Sequence, residues 1–151
     1  MKAKLKFLAI YYLSWIAFFD IMRLVFMIYH HDKSTGLSLG TLAASFWYGL
    51  RMDMSVAAYI AAPVFLFVLL SLFFHFFRRL TIYKIYTFTV LLIAALISLA
   101  DLELYNAWGF RIDTTPLRFL STPHEAWASV SHLPLFWIAL VFLICYGLFY
   151  F

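Results

Sequence analysis

The charged residues that could do chemistry form short acid–base motifs between long apolar runs. Arginine is the informative member, because its planar guanidinium can grip a phosphate with two parallel hydrogen bonds. Ionisable residues at membrane depth mark either a functional site or a structural pair, since an unpaired charge is costly there. The candidates, for structural pairs or for a lipid-head-group site, are Asp20, Arg23, Arg51, Asp53, Asp101, Glu103, Arg111, Asp113 and Arg118.

The first pair, Asp20 and Arg23, stands three residues apart, on one face of a helix and close enough to form a salt bridge. In the structural interpretation these two residues neutralise each other, or pair crosswise with Arg51 and Asp53. In the functional interpretation they belong to a working site inside the membrane. Pairing is the usual way to avoid the free energy of burying a charge, so we predict a structural pair.

The arginines further along the chain also have two interpretations. In the structural one, Arg51 pairs with Asp53 or Asp101, and Arg111 pairs with Asp113, which closes the helix bundle. In the functional one, some of the outer arginines hold an anionic lipid head group near the mouth of the bundle. These outer arginines are Arg51, Arg111 and Arg118.

Catalytic and metal-binding motifs are absent from the sequence. His124 and the glutamate after it begin like a zinc-protease helix, but Ala128 stands where the second ligand is needed. The adjacent His30 and His31 point to different sides of a helix or strand, which predicts an interfacial surface patch and not a metal site. There is no P-loop, G-x-S-x-G or C-x-x-C motif. We therefore predict no catalytic residue, no metal ligand and no cofactor in this chain.

Composition indicates where these residues must sit. Hydrophobic residues make up 66% of the 151-residue chain and charged residues 12%, and the mean hydropathy is +0.95, which is typical of an integral membrane protein. The formal net charge of +4 comes largely from two basic clusters, Lys2/Lys4/Lys6 and Arg78/Arg79/Lys84. Such clusters report membrane topology and do not indicate nucleic-acid binding.

The apolar runs predict an all-α, polytopic helical membrane bundle with short interfacial helices. Spans are expected at about residues 7–29, 54–77, 82–104 and 134–151, and interfacial segments at about 42–50 and 105–132. Residues 42–77 would extend about 54 Å as one helix, so we predict a break at residues 49–53. Pro63 should kink the span that follows, with a neighbouring helix satisfying the freed carbonyl.

Charge predicts the orientation of these spans. The amino terminus and the basic turn at residues 78–84 lie on the same side of an even number of crossings, so the positive-inside rule places both in the cytoplasm. The polar stretch at residues 101–132 is then external. The last apolar run is still apolar at Phe151 and has no basic flank, so we expect the natural chain to continue.

Four charged motifs occur in a fixed order between the apolar runs: GLRMDMSVAAY at 49–59, ADLELY at 100–105, WGFRIDTTP at 108–116 and TPHEA at 122–126. Together they resemble the amino-terminal membrane region of lipoteichoic-acid-synthase-like proteins. These proteins are membrane-anchored members of the sulfatase and alkaline phosphatase superfamily in bacteria. The resemblance implies a multi-pass protein of the bacterial plasma membrane.

In that family about five spans precede an external α/β domain, which uses a metal-bound threonine. That domain transfers phosphoglycerol or a related head group, or hydrolyses sulfate or phosphate esters. The resemblance therefore implies a catalytic domain in cis, with a divalent metal such as manganese, that is not present in residues 1–151. No catalytic residue can be carried over. The alternative is a small membrane protein complete in itself, acting as a transporter or assembly subunit through its buried charges.

Overall fold

The computed structural model of the chain describes residues 2–109, 140, 143–144 and 146–147. These residues are helical almost throughout and include no strand, which confirms the predicted all-α fold class. In chain order the elements are α1 (Lys2–Tyr29), α2 (His31–Ser34), α3 (Leu39–Leu70), a 3-10 turn (His75–Arg78) and α4 (Leu80–Trp108).

Three helices in the described part of the chain are long and apolar enough to cross a membrane: Lys2–Tyr29, Leu39–Leu70 and Leu80–Tyr105. Their lengths of 28, 32 and 26 residues exceed the roughly 20 residues that a bilayer requires. The chain is therefore a membrane protein. The fourth predicted span, at 134–151, and most of the interfacial segment at 105–132 lie outside the described residues.

The predicted break at residues 49–53 is wrong, because α3 continues without interruption from Leu39 to Leu70. The helix begins after Ser38, whose hydroxyl accepts the backbone N–H of Thr41 at 3.2 Å and caps the helix. No separate interfacial helix forms at 42–50, and the span expected to reach residue 77 ends at Leu70. The charges that suggested a boundary, Arg51 and Asp53, instead lie within the continuous helix.

The chain divides into two compact units, Met1–Val90 and Leu91–Phe151, with the boundary inside α4. In the first unit α1 and α3 run antiparallel, since Lys4 near the start of α1 bonds Ser71 after the end of α3. The buried apolar side chains of α1 are large, whereas those of α3 are small. The buried apolar residues of these two helices are Trp15, Phe18, Met22, Ala57 and Val64.

The first part of α4 completes this unit and meets α3 near its proline. Pro63 lies inside α3 and has no N–H to bond the carbonyl of Tyr59. The hydroxyl of Tyr86 on α4 donates to the adjacent carbonyl, that of Ile60, at 2.9 Å. A neighbouring helix thus supplies a donor beside the proline, but to the next carbonyl along the chain and not to the freed carbonyl that was predicted to receive it.

The second unit begins with the remainder of α4, where buried apolar side chains recur every three or four residues. They are Leu91, Ala95, Leu99 and Leu102, and Asp101 is buried beside the last of them. The helix extends to Trp108, four residues beyond the predicted end of the span. Gly109 then adopts a φ of 75°, a left-handed conformation that commonly terminates helices, and its N–H bonds the carbonyl of Tyr105 at 3.0 Å.

Candidate functional site

An arginine of α1 lies between two carboxylates and joins α1 to α3. The guanidinium of Arg23 donates to Asp53 of α3, with Nη2 to Oδ2 at 2.6 Å, and to Asp20 of α1, with Nη1 to Oδ1 at 3.3 Å. The side chains of Arg23 and Asp53 are only 14% and 12% exposed, whereas that of Asp20 is 36% exposed. The predicted pairing of Asp20 with Arg23, and the crosswise pairing of Arg23 with Asp53, are both present. We call these three residues the charge clamp.

Two further residues of α3 shape the pocket that receives the guanidinium. Nη1 of Arg23 also donates to the carbonyl of Phe46 at 3.4 Å, and the guanidinium carbon lies 5.8 Å from the centre of the Phe46 ring. Gly49 lies directly against the guanidinium, where a β-carbon at residue 49 would overlap it. Gly49 therefore leaves room for the guanidinium to lie in this position. Small residues at helix interfaces are the sequence signal for a close approach, which our prediction of a break overlooked.

The arrangement of the charge clamp favours a structural role. Nη1 and Nη2 of Arg23 contact two carboxylates and a backbone carbonyl, so the buried cation is well satisfied. Paired charges of this kind connect helices inside a membrane because either partner alone would be costly. The clamp therefore fixes α3 beside α1 and explains why a helix carrying Asp53 needs no break there.

Arg51 does not take part in the clamp. The predicted pair of Arg51 with Asp53 is wrong, since Asp53 pairs with Arg23. Residues two apart on a helix point about 200° apart, so Arg51 faces away from α1. Its side chain is exposed beside a shallow surface cavity of about 460 Å³, and within the described ranges it forms no ion pair. Tyr48, Met52, Ser55 and Val56 line the same cavity.

The remaining predicted site residues fall in the second unit or beyond it. Asp101 is 5% exposed and Glu103 is half-buried, and both lie near the end of α4. Arg111, Asp113 and Arg118 lie outside the described residues, so the predicted pair of Arg111 with Asp113 stays a prediction.

The histidines after α1 differ from one another in exposure. His31 is exposed and its Nδ1 lies 3.0 Å from a carboxylate oxygen of Asp32, as the predicted surface patch requires. His30 is buried instead, with Nδ1 3.2 Å from the carbonyl of Phe26 and its ring against Tyr29. No group of three His, Cys, Asp or Glu residues able to hold a metal ion occurs among residues 2–109 and the few described ones after them.

Comparison with protein-family models, with curated proteins and with solved structures finds no match to this chain.

Proposed function

We propose that the chain is the membrane domain that anchors an external enzyme of the sulfatase and alkaline phosphatase superfamily and presents lipid to it. The proposal rests on the resemblance carried by the four charged motifs. Two of them are described in the structure: residues 49–59 lie on α3 and residues 100–105 lie on α4. The enzyme would be a phosphoglycerol or phosphoethanolamine transferase, or a sulfate or phosphate ester hydrolase. The divalent metal that the resemblance implies belongs to that external domain and not to the residues described above.

The single structural observation that supports lipid presentation is the contrast between Arg23 of α1 and Arg51 of α3. Arg23 is held by Asp20 and Asp53, whereas Arg51 is exposed and is not in an ion pair within the described part of the chain. An exposed guanidinium retains its donors for a phosphate group. Trp47 and Tyr48, each 74% exposed, precede Arg51 by about one helical turn. Amphipathic rings of this kind collect at the level of lipid head groups.

The proposed orientation places the amino terminus in the cytoplasm and the charge clamp in the outer half of the membrane. It is supported by the basic residues at the start of α1 and around Arg79, because no acidic residue stands beside either cluster in the sequence. A reporter inserted after Arg79 should behave as cytoplasmic, and one inserted after Gly36, between α2 and α3, as external. The reverse pattern would contradict the orientation.

The head-group site is tested with Arg51→Gln in the full chain, titrated with phosphatidylglycerol in detergent. Loss of one charged hydrogen-bonding partner should weaken binding about tenfold. Arg79→Gln is the matched control, because it removes the same charge at the other end of the first unit. Normal binding by a folded Arg51→Gln variant would reject the site, and loss of folded protein would favour a structural role for Arg51.

A further inference from the structure

A second cluster of cations lies at the opposite end of the first unit, where α1 begins and α3 ends. Lys4 Nζ donates to the hydroxyl of Ser71 at 2.8 Å, and Arg78 Nε donates to the carbonyl of the same serine at 3.0 Å. Ser71 is itself only 4% exposed, and its hydroxyl donates to the carbonyl of Val68 at 2.6 Å. One buried residue therefore positions two positive charges side by side.

These cations stand at the edge of an apolar cavity of about 540 Å³, which we call the basic cleft. Its walls come from α1, α3, the 3-10 turn and the start of α4. Apolar side chains provide most of them, namely Phe7, Val68, Leu72, Phe77 and Leu80. Tyr83 also lines the cleft, and its hydroxyl donates to the carbonyl of Phe77 at 3.0 Å, which fixes one wall.

The charges in the basic cleft are not balanced by its own lining, which includes no acidic side chain among the residues that the structure describes. The described acids of the first unit are at the other end, in the charge clamp and at Asp32 after α1. Lysine carries three N–H donors and arginine five, so Lys4 and Arg78 keep donors beyond those given to Ser71. Two cations held close together attract an anion that can accept from both.

We propose that the basic cleft binds one anionic phospholipid, with its phosphate on Lys4 and Arg78 and an acyl chain along the apolar walls. Basic pockets between membrane helices are suited to acidic lipid head groups. A free phosphate would leave the apolar walls uncovered, and a zwitterionic lipid would bring a cation of its own beside Lys4 and Arg78. This site is remote from Arg51, so the proposal stands independently of the proposed function.

The test is a titration of the purified full chain carrying Arg51→Gln, so that lipid bound at Arg51 does not mask the cleft, followed by native mass spectrometry with three probes. They are phosphatidylglycerol, phosphatidylcholine with the same acyl chains, and glycerol phosphate. For the same reason the Arg51→Gln variant is also titrated in the Lys4→Gln/Arg78→Gln background. Each basic residue near a lipid surface contributes about fivefold to the affinity for an anionic lipid. Lys4→Gln or Arg78→Gln should therefore weaken phosphatidylglycerol binding about fivefold, and the double variant about thirtyfold. Arg79→Gln, which changes the neighbouring arginine outside the cleft, should leave the affinity unchanged.

The apolar wall is tested separately by Leu72→Trp, which fills the cleft without changing its charge. Leu72 is 56% exposed, so the larger ring should not disturb the helix packing. We expect this variant to weaken phosphatidylglycerol binding at least fivefold, and glycerol phosphate to bind far more weakly than the lipid.

Three results would overturn the proposal: unchanged affinity in the folded double variant, an equal loss in Arg79→Gln, or equal binding of phosphatidylcholine and phosphatidylglycerol. If the double variant does not fold, unchanged lipid affinity in Leu72→Trp overturns it instead. Binding of glycerol phosphate as tight as that of the lipid would assign the cleft to a soluble anion and also reject a lipid site.

Discussion

Substitution of Gly49 by alanine should destabilise the protein because the new methyl group would occupy the position of the Arg23 guanidinium. Displacing that group breaks the 2.6 Å bond to Asp53 and leaves two poorly exposed charges apart. Breaking a buried ion pair costs about 3–5 kcal/mol, and replacing glycine by alanine within a helix returns about 1 kcal/mol. The expected net loss is therefore about 2–4 kcal/mol of unfolding free energy.

The measurement is reversible unfolding in mixed micelles, in two backgrounds. In the wild-type background Gly49→Ala should lower the unfolding free energy as stated. In the Arg23→Gln/Asp53→Asn background the guanidinium is absent, so the same alanine should stabilise the helix by about 1 kcal/mol. Gly40→Ala serves as the control, since its methyl group would make only an ordinary contact, 3.7 Å from the Ser38 hydroxyl.

A change of sign between the two backgrounds is the specific signature of this reasoning. If Gly49→Ala destabilised both backgrounds equally, the glycine would serve a purpose other than admitting Arg23. If it destabilised neither, the guanidinium would have an equally good position elsewhere and the charge clamp would not hold α1 against α3.

Two further predictions concern the polar contacts between helices. Arg23→Gln should lower the unfolding free energy by about 3–5 kcal/mol because Asp53 loses the Arg23 guanidinium. Adding Asp53→Asn should recover most of that loss, whereas adding Asp20→Asn should not, since Asp20 is 36% exposed. Equal recovery by both in unfolding titrations would contradict the geometry. Tyr86→Phe should cost about 1 kcal/mol by removing the 2.9 Å hydrogen bond to α3, while Tyr59→Phe, at an 80% exposed residue, should be neutral in the same assay.

The sequence predicted the helical class and three of the long helices because apolar runs of this length have few alternatives. It also placed Asp20 and Arg23 on one helix face, which requires only the spacing of a helix. Whether Asp20 and Arg23 pair only with each other or crosswise with α3 was left open. Arg51 and Asp53 stand two residues apart, and only the rotation of α3 decides which of them faces α1. Sequence alone carries little information on that rotation.

The predicted break in α3 failed for a related reason. A glycine followed by an arginine and an aspartate is typical of an interfacial turn, and α3 is longer than a perpendicular crossing requires. In the structure Gly49 admits the Arg23 guanidinium and Asp53 is neutralised by it, so both residues suit a continuous helix. The basic cleft was missed as well, because Lys4 and Ser71 are 67 residues apart in sequence.

The charge clamp also has a consequence for biogenesis. Asp53 follows Arg23 by 30 residues, so at roughly 5–20 residues per second the ribosome delivers it about 2–6 s after the arginine. During that interval α1 carries an arginine whose insertion would cost about 2.5–3.5 kcal/mol at the centre of a membrane helix and less near its end, and the acid beside it on α1 is Asp20. Lateral release of α1 into lipid is thus favoured once α3 arrives, and the two helices should leave the translocon as a pair.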